Sequence, residues 1–179
     1  MPRMVPGIET LEQHQTQLRD DANAYRPECC PHCGKRGIHR HGHYERNAPR
    51  GEGLAFSLGS LFIHRFYCAT CLSTCSRLPA CLSPRRQYGW GSQQVVLVRL
   101  LSGASIREVA RWLWPSRRTI GRWWKWLEAR FGLHALHLRG RFPQLGRSAD
   151  WKTFWSLCCE RMRLSEAMGW LDRAGVSVP

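Results

Sequence analysis

Two Cys-x-x-Cys pairs, Cys30-Pro31-His32-Cys33 and Cys68-Ala69-Thr70-Cys71, are the residues of this chain best suited to chemistry. Two intervening residues let a tight turn aim both sulfurs at one ion, and Gly34 can take the positive φ such a turn needs. Soft thiolates in a tetrahedron suit Zn2+, and two pairs fill all four positions, which leaves none open for a reaction. The expectation is a structural zinc site on Cys30, Cys33, Cys68 and Cys71. Cys29 could replace Cys30 only by giving up the two-residue spacing. His32, His39, His41, His43 and His64 could enter a mixed site. Strand alternation would instead gather His39, His41 and His43 on one face, beside Lys35, Arg36, Arg40 and Arg46, where they could bind phosphates. Cys75, Cys81, Cys158 and Cys159 lack partners at this spacing and read as packed thiols. A cysteine nucleophile with a histidine base is the enzymatic reading. No activating arrangement is visible for it, so no catalytic residue is assigned and a non-enzyme is expected.

The elements that must position these sulfurs lie between them. Residues 37–46 and 54–67 alternate as strands, with Asn, Pro and Gly in 47–53 marking the turn. The result would be a small zinc ribbon over 27–84. Its 34 residues between pairs exceed the roughly 15–20 usual for such sites. So small and polar a segment should need its metal to fold.

A second candidate surface lies in 105–131. Ser105 and Glu108 form a capping box, Pro115 and Ser116 end one helix and cap the next, and Ile120, Trp123, Trp124, Leu127 and Phe131 share a face. Arg118, Arg122 and Lys125 point the other way, as suits a helix entering a DNA major groove. The stretch resembles the helix-turn-helix family. Ala110 is its small residue, Ile106, Val109 and Leu113 surround it, and Ile120 and Trp123 match the second helix, whereas Trp114 stands where Gly is usual. The alternative is an ordinary amphipathic hairpin with a solvated charged side. Trp114 and Trp126 could also stack on unpaired bases. Ser92 should cap a preceding helix that runs to Leu101 and stops at Gly103, giving a three-helix domain over 92–132. Arg85 and Arg86, in the 82–90 connector, either grip a nucleic-acid backbone or are simply solvated.

Charge and composition limit the partners. The net charge is +14: residues 27–91 carry nine basic and three acidic side chains, and 92–147 carry eleven and two. Segments 1–26 and 148–179 are close to neutral, so the middle of the chain should face a polyanion. The longest apolar run, 95–98, is far short of the roughly 20 residues that span a bilayer, and no signal-peptide core is visible. A cytoplasmic, nucleoid-associated protein with reduced cysteines is expected. Residues 8–25 read as an N-terminal helix (domain 1–26) with a stripe of Ile8, Leu11, Leu18, Ala22 and Tyr25 for packing or self-association. Residues 139–146 read as a loop. Helices at 150–161 and 164–173 would form a C-terminal extension (148–174), whose Trp151, Phe154, Trp155 and Cys158 suit packing or a homodimer. The fold class expected is α+β, mostly helical.

The order of parts, CPHCG…HRHGHYERN…FYCATC…LP and then helix-turn-helix, is similar to the N-terminal DNA-binding region of bacterial insertion-sequence transposases and related short proteins. The resemblance covers about residues 25–131. It implies zinc on Cys30, Cys33, Cys68 and Cys71 and double-stranded DNA on Arg117, Arg118 and Arg122. A transposase would continue into a domain with three metal-binding carboxylates. Here the later acids, Asp150, Glu160, Glu166 and Asp172, suit a helical surface. The expected function is a zinc-dependent duplex-DNA binder without strand-transfer chemistry, a regulator or mobile-element accessory that could partner a transposase. The alternatives are a single-stranded DNA or RNA binder, or a protein–protein assembly module whose charge serves solubility.

Overall fold

Strand-forming residues on either side of 47–59 build the long hairpin of the first of two units, Met1–Gln87 and Tyr88–Pro179. The computed structural model describes residues 3–50, 59–84, 87–146 and 148–178. Residues 51–58, which hold the end of the expected turn and the start of the expected second strand, fall outside them. In the first unit, β1 (Met4–Val5) is followed by α1 (Leu11–Asp20), a 3-10 turn (Ala22–Tyr25), β2 (Ile38–Asn47), β3 (Ser60–Cys68), β4 (Thr74–Cys75) and β5 (Leu78–Pro79). β2, β3 and β4 form an antiparallel sheet in that order, and β1 pairs in parallel with β5.

The helix expected over 8–25 is shorter. Thr10 starts it with a capping box closed by Gln13. Asp21 stops it: in an extended conformation, its carboxylate accepts the Asn23 amide at 2.8 Å and turns the chain into the 3-10 segment. Ile8 and Tyr25 are still buried, each outside the α-helix. Buried His14 fastens α1 to the sheet. Its Nε2 lies 3.2 Å from the Phe62 carbonyl and its Nδ1 2.6 Å from the Tyr25 hydroxyl. A carbonyl can only accept, so Nε2 carries the proton and Nδ1 accepts from Tyr25.

The hairpin register changes once. Arg40 faces Phe66, but His43 faces His64, so β2 carries one extra residue, and Gly42 in this bulge has φ +75°. The bulge reverses side-chain parity. His39, opposite Tyr67, and His43, opposite His64, therefore lie on opposite faces, which corrects the expectation of one histidine face. The buried parity of β3 also switches. Leu61 and Ile63 join one apolar cluster with Leu11, Leu78 and Leu82, whereas Phe66 and Cys68 join another with Val5, Ile8, Tyr25, Cys30 and Ile38.

The second unit is helical: α2 (Trp90–Leu101), α3 (Ile106–Trp112), α4 (Arg117–Ala129), α5 (Phe131–Arg141), a 3-10 turn (Pro143–Leu145), α6 (Trp151–Arg161) and α7 (Leu164–Arg173). α2 begins before the expected Ser92 cap. Gly89 is the cap, and buried Trp90 and Gln93 anchor the first turn, with Gln93 Nε2 donating to the Tyr88 carbonyl at 3.1 Å. α5 replaces the start of the expected 139–146 loop. Its glycines weaken helix propensity, but His134, Ala135 and Leu138 bury one face of it, and this packing overrides the local preference. α6 and α7 pack on α2, and Asp150 caps α6 through the Lys152 and Thr153 amides. The chain is thus α+β, with seven α-helices and a small sheet among the described residues. No helix there is long and apolar enough to cross a membrane.

One buried group makes the second unit acid-sensitive. The His134 ring lies 4.9 Å from that of Trp126 and 5.6 Å from that of Trp155, and neither of its nitrogens has a hydrogen-bond partner among the described residues. Burial first, then the Arg130 and His137 charges, lowers its pKa from 6.5 to about 4. The unfolded chain takes up this proton at higher pH than the folded one. Stability should therefore be full above about pH 6.5 and fall as the pH drops towards 4, by up to about 3 kcal/mol. All nine tryptophans lie in this unit, so urea unfolding followed by their fluorescence reads the effect. His134→Leu should flatten the acid limb at little cost at neutral pH, because it removes a polar group that has no partner.

Candidate metal centre and basic helix

Two similar turns present the four sulfurs. In the first, ahead of β2, the Cys30 amide donates to the Lys35 carbonyl at 2.8 Å and the Gly34 amide to the Cys30 carbonyl at 2.9 Å. Gly34 has φ +72°. In the second, between β3 and β4, the Cys68 amide donates to the Ser73 carbonyl at 3.0 Å, and the residue after Cys71 again enters the left-handed region. That residue is Leu72, at φ +56°, a conformation that costs a side chain roughly 1–2 kcal/mol. A turn that keeps this backbone without glycine is constrained by something other than local preference.

The sulfurs of Cys30, Cys33, Cys68 and Cys71 lie within 4.8 Å of one another. Cys30 Sγ is 3.5 Å from Cys71 Sγ, and Cys33 Sγ is 3.7 Å from Cys68 Sγ. Metal–sulfur bonds of about 2.3 Å in a tetrahedron give edges of about 3.8 Å, so the four thiols fit one ion. The amides of Cys71 and Thr70 bring the Cys68 thiol down to about 6 against the opposing effect of burial. At Cys33 the Lys35 amide lowers the pKa, but burial and the thiols of Cys71, Cys68 and Cys30 push it up to about 12. Four thiolates at this spacing repel one another, and a cation among them lets all four ionise. Cys29, Cys75 and the histidines are not part of the cluster. Cys75 packs against the neighbouring apolar residues, and burial raises its thiol pKa.

The basic helix is α4. The Ser116 hydroxyl accepts the Thr119 amide at 3.3 Å and sets its start. Ile120, Trp123 and Leu127 are buried on one side, and Arg117, Arg118, Arg122 and Lys125 are exposed on the other. None of these four cations has an acidic partner among the described residues; Arg122 contacts only Thr119 Oγ1, at 3.4 Å. Trp124 is half-buried against Trp151, with ring centres 4.5 Å apart. Phe131 opens α5 rather than closing α4. In α3 the Ser105 hydroxyl accepts the Glu108 amide at 3.1 Å. In the turn between the helices Trp114 is 80 % exposed, and Trp112 before it 74 %; the sequence pattern did not single out Trp112. Trp126, the other stacking candidate, is half-buried against His134. Arg85 and Arg86 lie outside the described residues.

These features describe a two-unit α+β protein with a cluster of four cysteines that could hold a metal ion, and a basic helix whose cations have no acidic partner among the described residues. Residues 30–123 match the domain of unknown function DUF6431, and the chain belongs to that family. The matched segment starts at the first clustered cysteine and ends at Trp123, within α4. No curated protein and no solved structure matches the chain.

Purified protein should carry one metal ion per chain. Cys30→Ser or Cys68→Ser should abolish that stoichiometry, and Cys29→Ser or Cys75→Ser should leave it intact. Protons compete with the metal for thiolate, so retention should fall as the pH is lowered. Metal analysis after dialysis across a pH series measures both effects.

Proposed function

We propose that this protein is a zinc-dependent, double-stranded DNA-binding protein that works without chemistry of its own. It would act as a regulator or as an accessory of a mobile element. The observation that carries this reading is α4, where four cations with no acidic partner among the described residues lie away from a buried apolar stripe. Such a helix, preceded by α3 and a short turn, has the form of a helix-turn-helix reader: its first turns enter the major groove, where arginine forks match guanine edges. Arg118 and Arg122 take the base-reading role, and Arg117 and Lys125 hold phosphates. The four-sulfur cluster with its hairpin has the form of a zinc ribbon, and zinc is the metal whose preference for thiolates in a tetrahedron it satisfies. Filling all four positions with protein sulfur makes the ion structural. The resemblance of the motif order to the DNA-binding region of insertion-sequence transposases would imply the same partner. The later acids have other surroundings, with Asp150 engaged as a helix cap and Asp172 buried.

A second reading, binding to single-stranded DNA or RNA, is favoured by one observation. Trp112 and Trp114 present two indoles to solvent beside the basic helix, as base-stacking platforms do.

Selection of bound duplexes from a random pool, followed by affinity measurements over a salt series, tests the proposal. Affinity should fall by about 0.9 log units per phosphate contact for each tenfold rise in salt. Arg118→Ala and Arg122→Ala should each cost about 1–3 kcal/mol on the selected site and little on scrambled duplex. A preference for single strands that is lost in Trp112→Ala and Trp114→Ala would replace the duplex reading with the second.

A further inference from the structure

Trp112, the last residue of α3, is 74 % exposed and Trp114 80 %, which makes them the most open large apolar side chains among the described residues. Trp123, Trp124 and Trp126 each meet another ring, whereas neither of these two meets a ring or a cation among the described residues. Leu113 sets the pair. It is extended, at φ −120° and ψ 151°, and half-buried, and Pro115 is buried, so the chain alternates and turns both indoles outward. One extended residue holds its two neighbours about 6.6 Å apart at Cα. Stacked nucleotides are spaced by about 3.4 Å, so this interval has room for one base between two rings. Cations flank the pair. Between Ser105 and Lys125, six basic residues accompany one acidic residue, Glu108. Arg107 and Arg111 on α3, with Arg117 and Arg118 on α4, are exposed and have no acidic partner among the described residues.

We propose that the α3–α4 turn stacks on an unpaired base, so that the preferred ligand is a duplex interrupted by unpaired bases beside the segment that α4 reads. A partner that answers both the indoles and the cations must join flat apolar faces by anions, and nucleobases on a phosphodiester chain supply both. In an intact duplex each base face is covered by its neighbours. An indole reaches one only after the base leaves the stack, which costs least where the base is already unpaired. The inference rests on the duplex reading of α4 and adds the form of the nucleic acid to it, through different residues.

The test uses the full-length, metal-loaded chain and the duplex selected above, or one of scrambled sequence if selection yields none. Three probes are compared: the intact duplex, a series with one unpaired base at successive positions in and beside the site, and each single strand alone. At least one interrupted duplex should bind more tightly than the intact duplex and than either strand, by roughly 5- to 150-fold for one stacked base. Trp112→Leu and Trp114→Leu should bring that ratio towards one, and Trp112→Phe and Trp114→Phe should keep most of it, because leucine fills space but cannot stack. 2-Aminopurine at the unpaired position should lose fluorescence when it stacks on the unaltered protein and keep it with the leucine variants. Metal content serves as the folding control. Equal affinity for intact and interrupted duplexes, or a preference that survives in both leucine variants, overturns the inference; the α4 reading stands if Arg118→Ala still weakens binding to the intact duplex. Tightest binding to a single strand overturns it in favour of the second reading above. Failure of the unaltered protein to bind any probe overturns both.

Discussion

Four sulfurs converging on one point govern the first unit. Cys30 and Cys33 precede β2, Cys68 ends β3 and Cys71 follows it, so a single ion would tie the start of the long hairpin to its finish. Cys30 and Cys68 also belong to the apolar cluster with Tyr25, Ile38 and Phe66, and Cys33 and Cys71 pack against it. The sulfur cluster and the hydrophobic contacts are therefore parts of one object. Four thiols this close ionise together only if a cation compensates them, so metal binding and folding would be linked by electrostatics. Leu72, held in a conformation better suited to glycine, illustrates that linkage: the second turn keeps the backbone of the first despite the side chain it carries.

The second unit solves a different problem. Arg117, Arg118, Arg122 and Lys125 crowd one side of α4, and like charges disfavour any arrangement that holds them close. The opposing contribution comes from beneath, where Ile120, Trp123 and Leu127 are buried and the Trp123 ring lies 5.5 Å from that of Tyr88. Trp124 against Trp151, and Phe131 against Phe154, continue that packing. A rigid apolar floor lets a repulsive surface keep its geometry. His134 is the weak point of the floor, a polar ring inside an aromatic cluster.

Local chemistry in the sequence pointed to much of this arrangement. The Cys-x-x-Cys spacing identified the four clustered sulfurs, and side-chain caps placed the starts of the helices at Ile106 and Arg117. Features decided by distant contacts were not legible. The bulge at Gly42 depends on pairing with β3 and moved His43 away from His39. Residues 139–141 read as the start of a loop, yet they close a helix whose buried side meets Trp126 and Trp155. Arg3 and Arg77 are far apart in the chain and share a cleft because β1 lies beside β5, a proximity with no signature in either segment.

That parallel pairing has a bearing on the order in which the chain can mature. Met4 and Val5 align with Leu78 and Pro79, and the Leu78 amide donates to the Arg3 carbonyl at 2.8 Å. During vectorial synthesis, the leading segment has no neighbour to zip onto until the trailing one has left the ribosomal tunnel. Closure of the sulfur-bearing unit is then a late, nonlocal event that involves a long loop, the kind of step that slows folding.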